Sequence, residues 1–239
     1  MKKVYRIYPI LTCQIIMDKG IFTYLKNHGE KILVPIWAWL IEGGEEPILV
    51  DTGCSLKEFM KYSVLSAGGE EGAPIEDSLQ KLGISVSDVK TIIITHLHSD
   101  HCLNAKKFSQ TKIIVQEEEL KFARNPHPLF SGIYKSEWYE GLNFKTVQGD
   151  TEIISGVKAI FTPGHSAGSQ SVSITTEQGE AVITGFCAID DNFSDKGDII
   201  GAPHIDPIKA YESMMRVRKM ADIIIPLHSQ RTLNVKSIP

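Results

Sequence analysis

The sequence predicts an α+β domain in which buried strands alternate with helices and carry polar residues to one end of the fold. Three observations support this. Short β-branched runs, above all Thr91 to Ile94, are apolar throughout and read as fully buried strands. Segments such as Ile75 to Leu82 place apolar residues at Ile75, Leu79 and Leu82, a helical spacing closed by Gly83 as a C-cap. Several of the strands run directly into histidine. With 239 residues, 42% of them hydrophobic, the chain can bury one substantial core, so residues 1–239 read as a single domain of two or four layers.

In chain order, residues 4 to 16 read as two short strands separated by Pro9. Ile32 to Ile41 is a longer strand with Trp37 and Trp39 on one face, and Gly43-Gly44 turns it into Pro47 to Val50. Asp51-Thr52-Gly53 follows, a polar triplet that serves either as a simple turn or as support for a nearby site. Residues 55 to 74 are rich in Ser, Gly, Glu and Lys and predict a surface excursion with a short helix near Leu56 to Leu65. After the Thr91 strand come a strand at Lys112 to Val115 and an acidic helix start at Gln116 to Leu120. Residues 124 to 143 are broken by Pro126, Pro128, Gly132 and Gly141, and their aromatics (Phe130, Tyr134, Trp138, Tyr139) either anchor a long loop or line a pocket. Val157 to Phe161 and Asp222 to Pro226 are further strands. Asp206 with Pro207 opens a helix whose stripe is Ala210, Met214, Val217 and Ala221.

The chemistry concentrates in Thr95-His96-Leu97-His98-Ser99-Asp100-His101. On an extended strand end His96 and His98 point to one side and reach one ion, while Asp100 and His101, at the turn, face a second. Pro163-Gly164 forces a turn that leaves His165 beyond its strand, and His228 follows the last strand. The expected centre is therefore His96, His98 and His165 on one ion, with Asp100, His101 and His228 on its neighbour. Imidazoles with one carboxylate suit zinc best, one or two ions per chain, with iron, cobalt and manganese as alternatives. His127 reads as a surface residue, and His204 as either a pocket residue or a hydrogen-bonded loop histidine.

These stretches resemble the metallo-β-lactamase superfamily and, within it, the N-acyl homoserine lactonase branch. The resemblance rests on Val34-Pro35-Ile36-Trp37 before Asp51-Thr52-Gly53, on the 96–101 cluster, on Thr162 to Gly168, on Asp206-Pro207 and on His228. It implies a four-layer αβ/βα sandwich with a two-metal hydrolytic site at one end. It also implies a carboxylate bridging the metals after a Thr-Gly pair, where this chain has Phe186 following Thr184-Gly185, and a tyrosine three residues later, where it has Ile189. Cys187, Asp190 and Asp191 are the candidate replacements for the bridge.

The expected reaction is attack of a metal-bound water, its pKa lowered toward neutrality, on a lactone or related ester, with Asp100 as ligand and proton shuttle. Trp37, Trp39 and the 130–139 aromatics would supply an apolar groove. The alternatives are hydrolysis of another carbonyl or phosphoester, or a metal-binding protein without activity. A formal charge of -4 and a pI near 6.1 favour a small-molecule substrate over nucleic acid. No run approaches a membrane span. Arg6, Gln14 and Asp18 interrupt the apolar start after Lys2 and Lys3, which reads against a leader peptide. Cys13, Cys54, Cys102 and Cys187 lack Cys-x-x-Cys spacing and read as reduced thiols of a cytoplasmic protein.

Overall fold

The computed structural model describes residues 3–63, 65–194, 197–201 and 203–239; Lys2 of the basic pair and Val64 of the surface excursion lie outside it. The first sheet contains β1 (Arg6–Asp18), β2 (Lys31–Glu42), β3 (Ile48–Val50), β4 (Gly69–Glu71), β5 (Thr91–Ile93), β6 (Lys112–Gln116) and β7 (Phe144–Val147). They lie in the order β4-β1-β2-β3-β5-β6-β7, antiparallel around β1 and β2 and parallel from β3 to β7. The second sheet is built from β8 (Thr151–Ile154), β9 (Val157–Phe161), β10 (Gln170–Thr176) and β11 (Gly179–Ile183). A short antiparallel pair, β12 (Phe193–Ser194) and β13 (Gly197–Asp198), follows in the chain. The last strand, β14 (Ile223–Ile225), then returns to lie parallel to β11.

Period-two alternation sorts the side chains into layers. Leu49, Ile92, Ile94, Ile113 and Val115 face outward onto α2 (Ile75–Lys81), α4 (Glu117–Arg124) and α5 (Ser136–Tyr139), where Ile75, Leu79, Leu120, Ala123 and Trp138 meet them. Their neighbours Ile48, Val50, Ile93 and Ile114 face inward onto Val172, Ile174, Ala181 and Ile183 of the second sheet. On the far side of that sheet Val182 packs with Met214 and Val217 of α6 (Pro207–Met220). The result is the expected four-layer α+β sandwich. Asp206 caps α6, accepting from the amides of Ile208 and Lys209, and the Ala210, Met214, Val217 stripe is buried.

Three expectations change in detail. In place of two strands over residues 4 to 16 there is one, β1, which starts at Arg6 and continues to Asp18, because Pro9 lies where no ladder bond is lost: Ile7 N–H donates outward, away from β2, to Ile238 O, and Pro9, two residues on, points the same way. The helix near Leu56 is shorter than predicted, α1 (Leu56–Phe59), capped by Ser55. Trp37 and Trp39 do share a face, but that face is the core between the sheets, leaving them 3% and 0% exposed, so neither lines a groove. Tyr134, Trp138 and Tyr139 are likewise buried and anchor their loop, while His127 is an exposed cap accepting from Leu129 N–H.

Candidate metal centre

Every predicted ligand lies just past a strand at the same end of the sandwich. β5 stops at Ile93, so His96 and His98 occupy the connection after it, and Asp100 and His101 sit on the single helical turn α3 (Ser99–Cys102). His165 follows β9 by four residues and His228 follows β14 by three. The fold brings these six residues into two groups, His96 with His98 and His165, and Asp100 with His101 and His228, the potential ligand atoms of each lying within 4.8 Å of one another. The groups adjoin, with the His96 and His101 rings 4.3 Å apart.

Asp51 is the support on one side. It is fully buried and holds φ +55°, a left-handed conformation unusual outside glycine. Its Oδ1 accepts Thr95 N–H at 2.7 Å, and its Oδ2 accepts both Thr95 Oγ1 at 2.8 Å and His101 Nδ1 at 2.9 Å. Because Thr95 Oγ1 donates to Asp51, it is left to accept from His96 Nδ1 at 3.1 Å. One carboxylate thus orients an imidazole in each group, directly for His101 and through a hydroxyl for His96. Of the two readings open for the triplet, the structure realises the supporting one.

Glu119 is the support on the other side, and sequence reasoning missed it. Fully buried at the start of α4, it accepts from Leu97 N and Tyr134 OH on Oε1, and from Ser166 Oγ and Gly168 N on Oε2. It therefore ties the 96–101 connection to the 165–168 turn. Gly168 permits this approach, since a Cβ there would come 2.2 Å from Glu119 N. The turn is fixed from outside by α6: Ser213 Oγ donates to Pro163 O, and Gly164, at φ +126°, lies so close to Ala210 N that any Cβ would collide.

The remaining imidazoles are oriented in the same manner. His165 Nδ1 donates to Pro203 O at 2.6 Å and His228 Nδ1 to Pro35 O at 3.0 Å, which turns each Nε2 inward. His96 Nε2 and His165 Nε2 then face each other at 3.1 Å, and His98 Nε2 is buried with no hydrogen-bond partner. Facing lone pairs and an orphaned ring nitrogen in a buried site fit a divalent cation, which accepts such donors.

The charges agree. Burial, followed by the crowding of neighbouring imidazoles, holds His96 well below its ordinary pKa, and burial likewise leads for His165. Burial brings His98 and His228 down to about 4, so all four rings are neutral donors at neutral pH. His101 is the exception: burial alone would lower it, but the Asp100 and Asp51 carboxylates outweigh that and raise it to about 10. Asp100, whose Oδ2 is 3.0 Å from His101 Nε2 and 3.7 Å from His228 Nε2, is pushed up by burial but drawn further down by His101, to well below the carboxylate range.

Of the candidates to replace a bridging carboxylate, two point elsewhere. Asp190 accepts from Ser229 Oγ, Gln230 N and Arg231 N, and Asp191 pairs with Lys19 at 2.9 Å. Phe186 packs toward α6 with Met214, and Ile189 lies in an apolar cluster with Cys13 and Phe59. His204 contacts Gly201 O at 3.4 Å and stacks edgewise on Tyr24, the arrangement of a loop histidine.

Comparison with known proteins agrees with this architecture. Residues 32–185 match the model of the metallo-β-lactamase superfamily. The N-acyl homoserine lactonase AiiA of Bacillus thuringiensis subsp. kurstaki is 31% identical over 234 residues, covering 91% of this chain and 88% of the relative. The crystal structure of an N-acyl homoserine lactone hydrolase with the product N-hexanoyl-L-homoserine at its catalytic metal centre superposes with a TM-score of 0.80 at 30% identity, over 96% of this chain and 95% of that one. AidC, a dizinc quorum-quenching lactonase, shares the fold with a TM-score of 0.73 at 17% identity, over 99% and 91% of the two chains. With its sandwich, its converging histidines and these matches, the chain belongs to the metallo-β-lactamase superfamily, and its lactonase-like members are the ones it resembles.

Proposed function

We propose that this protein, a metal-dependent hydrolase acting through one domain spanning residues 1–239, uses zinc to open a lactone or a related ester. The observation that carries the proposal is the pairing of two adjacent, buried, three-residue donor groups, His96, His98 and His165 beside Asp100, His101 and His228. Imidazole nitrogens with a single carboxylate match the ligand preference of zinc. The relatives' action on homoserine lactones supports the substrate class.

When bound, the ions supply Lewis acidity toward a carbonyl oxygen and lower the pKa of a water molecule. The chain's residues do the rest. Asp51 fixes the His101 ring, and Glu119 holds the two connections that carry His98 and His165, so that little reorganisation accompanies reaction. Asp100, partly exposed at the centre, carries the water's proton to the leaving alkoxide. Water adds to the carbonyl carbon, the ring C–O bond breaks, and the product is a hydroxy acid with no covalent enzyme intermediate. The rings of His98 and His228 are packed from behind by buried aromatics, Tyr134 at 5.0 Å and Phe22 at 5.8 Å. Ile189 offers no hydroxyl for the developing oxyanion, which leaves that charge to the ions and costs roughly ten- to a thousandfold in rate relative to a site with such a donor.

The test is a panel of acyl homoserine lactones of varied chain length, aromatic lactones, simple esters, a chromogenic cephalosporin and a phosphodiester, assayed on the zinc-loaded protein. Lactones are expected to turn over fastest. Phosphodiester turnover about tenfold above every lactone and ester would overturn the substrate class, and activity on short esters alone would keep the hydrolase and remove the lactonase.

A further inference from the structure

We propose that Cys13 and Cys54 are a redox-sensitive pair that closes to a disulfide when a low-molecular-weight disulfide oxidises it and, once closed, locks the Asp51 turn to β1. That the turn in turn supports a metal centre is the only part that rests on the reading above.

The fold brings together two sulfurs 41 positions apart in the chain. In β1 the register slips between Leu11 and Cys13, so that Leu11 lies opposite Trp37 but Cys13 lies opposite Ile36. This bulge turns Cys13 away from the core face that Leu11 shares with Trp37 and into the cluster that holds Ile36, Phe59 and Cys54. Thr12, the extra residue of the bulge, fixes the partner: its Oγ1 accepts Cys54 N–H at 3.3 Å and donates to Ile36 O at 3.1 Å. Gly53, at φ +64°, lets the turn come this near, since a Cβ there would collide with Thr12 Oγ1. The two sulfurs end 3.6 Å apart, both fully buried. A disulfide needs about 2.05 Å, so a shift of about 1.5 Å between the side chains closes it. The remaining cysteines are placed differently. Cys102 Sγ donates to Leu97 O, and Cys187, which stands outside both donor groups, makes no sulfur–sulfur contact among the described residues.

Both thiols are free in this structure. Burial, followed by the neighbouring Cys13, raises Cys54 well above the ordinary thiol pKa, so the closed fold shields the pair from reaction. Access comes through two short elements that cover it. α1 is a single turn and β4 three residues long, and Glu71 of β4 pairs with Cys13 while its carboxylate accepts Leu56 N–H and Lys57 N–H of α1, so the two lift together at low cost. One thiolate then attacks the reagent's S–S bond, giving a mixed disulfide and one small thiol, and the second thiolate displaces the other. The two cysteine sulfurs lose two electrons, the reagent's two sulfurs gain them, and both thiol protons end on the released small thiols.

The lock matters because Cys54 closes the turn that braces the 98–104 segment. Asp51 Oδ2 accepts His101 Nδ1–H, Thr52 N and Oγ1 both donate to His101 O, and Gly53 O accepts Asn104 N–H. A covalent tie at position 54 therefore anchors these contacts to the longest strand of the first sheet.

The test incubates the full chain with oxidised glutathione beside a reduced sample. Peptide mass spectrometry without reduction is expected to find Cys13 joined to Cys54, with free thiols falling from four to two. Tm should rise by about 5–15 °C, and amide hydrogen exchange at Thr52 and Cys54 should slow at least about tenfold, both reversed by dithiothreitol. Cys102→Ala should respond as wild type does, and Cys54→Ala should show neither change. If Cys54→Ala does not fold, the linked-peptide map of the wild type still decides which sulfurs joined. A protein that stays fully reduced, stops at a glutathione adduct, or links Cys102 or Cys187 instead overturns the proposal, as does a Cys13–Cys54 bond that leaves exchange at Thr52 and Cys54 unchanged. A chain that binds no zinc would sink the metal-centre reading and leave this test intact, because every readout is on the chain itself.

Discussion

Replacing Asp51 with asparagine separates the support of the metal centre from its ligands. Asn tolerates the left-handed backbone at this position, where φ is +55°, so the change removes charge without adding the strain, of order 1–3 kcal/mol, that alanine would bring. Oδ1 must remain an oxygen, because it accepts the Thr95 backbone N–H. The new NH2 therefore takes the place of Oδ2 and meets two other donors, Thr95 Oγ1–H and His101 Nδ1–H. Two charge-assisted bonds are lost, about 1.5–3 kcal/mol each before relaxation. Rotation of the Thr95 hydroxyl and loss of the extra His101 proton recover part of this, leaving about 1.4–2.7 kcal/mol, or ten- to a hundredfold in metal affinity. The ion held by His101 should weaken more, since its support is direct, while the ion held by His96 feels the change through Thr95. Competition with a chromophoric chelator, on protein checked for native far-ultraviolet circular dichroism, reads both constants. A folded Asp51→Asn protein that binds both ions within about twofold of wild type would refute the supporting role.

Two further outcomes follow from the same geometry. Elemental analysis should find fewer bound ions in His96→Ala than in wild type, with hydrolytic activity abolished, and equal content in the two would remove His96 from the centre. Because His101 is raised to about 10 in the metal-free protein, its proton is present at pH 7 and must leave when the second group takes an ion. Titration calorimetry in buffers of differing ionisation enthalpy should show this release, with affinity at that group rising about tenfold per pH unit between roughly 7 and 9; the three neutral rings of the first group predict no such slope there.

The sequence showed the candidate ligands more readily than the residues that support them, for a physical reason. His96, His98, Asp100 and His101 are neighbours in the chain, and His165 and His228 are marked by strands that end just before them, so local pattern suffices. Glu119 is the opposite case. It sits beside Glu117 and Glu118, which are exposed, and the three read alike as a solvated helix start. Its burial arises only when α4 docks under the 165–168 turn; the available signal was that Leu120 and Ala123, one and four residues on, lie on the core face. Trp37 and Trp39 show a related limit: alternation places them on one face but cannot say that a second sheet covers it.

A centre assembled from buried neutral imidazoles is costly to keep empty, and this gives a last prediction. Two like lone pairs face each other in His96 and His165, and His98 carries an unsatisfied nitrogen, so binding of ions relieves local strain as well as adding mass-action stability. At a free zinc concentration about a hundred times the dissociation constant, each ion contributes about 2.7 kcal/mol, which for a chain of this size raises Tm by about 5–11 °C. The metal-free protein should also respond to pH in both directions. His98 and His228 are depressed to about 4, so the stability they allow is full above about pH 6.5 and is lost as pH falls toward 4. His101 is raised to about 10, so its contribution is full below about pH 6.5 and is lost as pH rises through 10. Together they place the stability maximum of the chelator-treated protein near pH 6.5, with zinc extending it to the alkaline side, where loss of the His101 proton costs nothing once the ring is a ligand. Calorimetric melts across pH 5 to 9, with and without zinc, measure this. Equal Tm with and without zinc, or a metal-free maximum well above pH 8, would mean that these histidines do not form the electrostatic unit described.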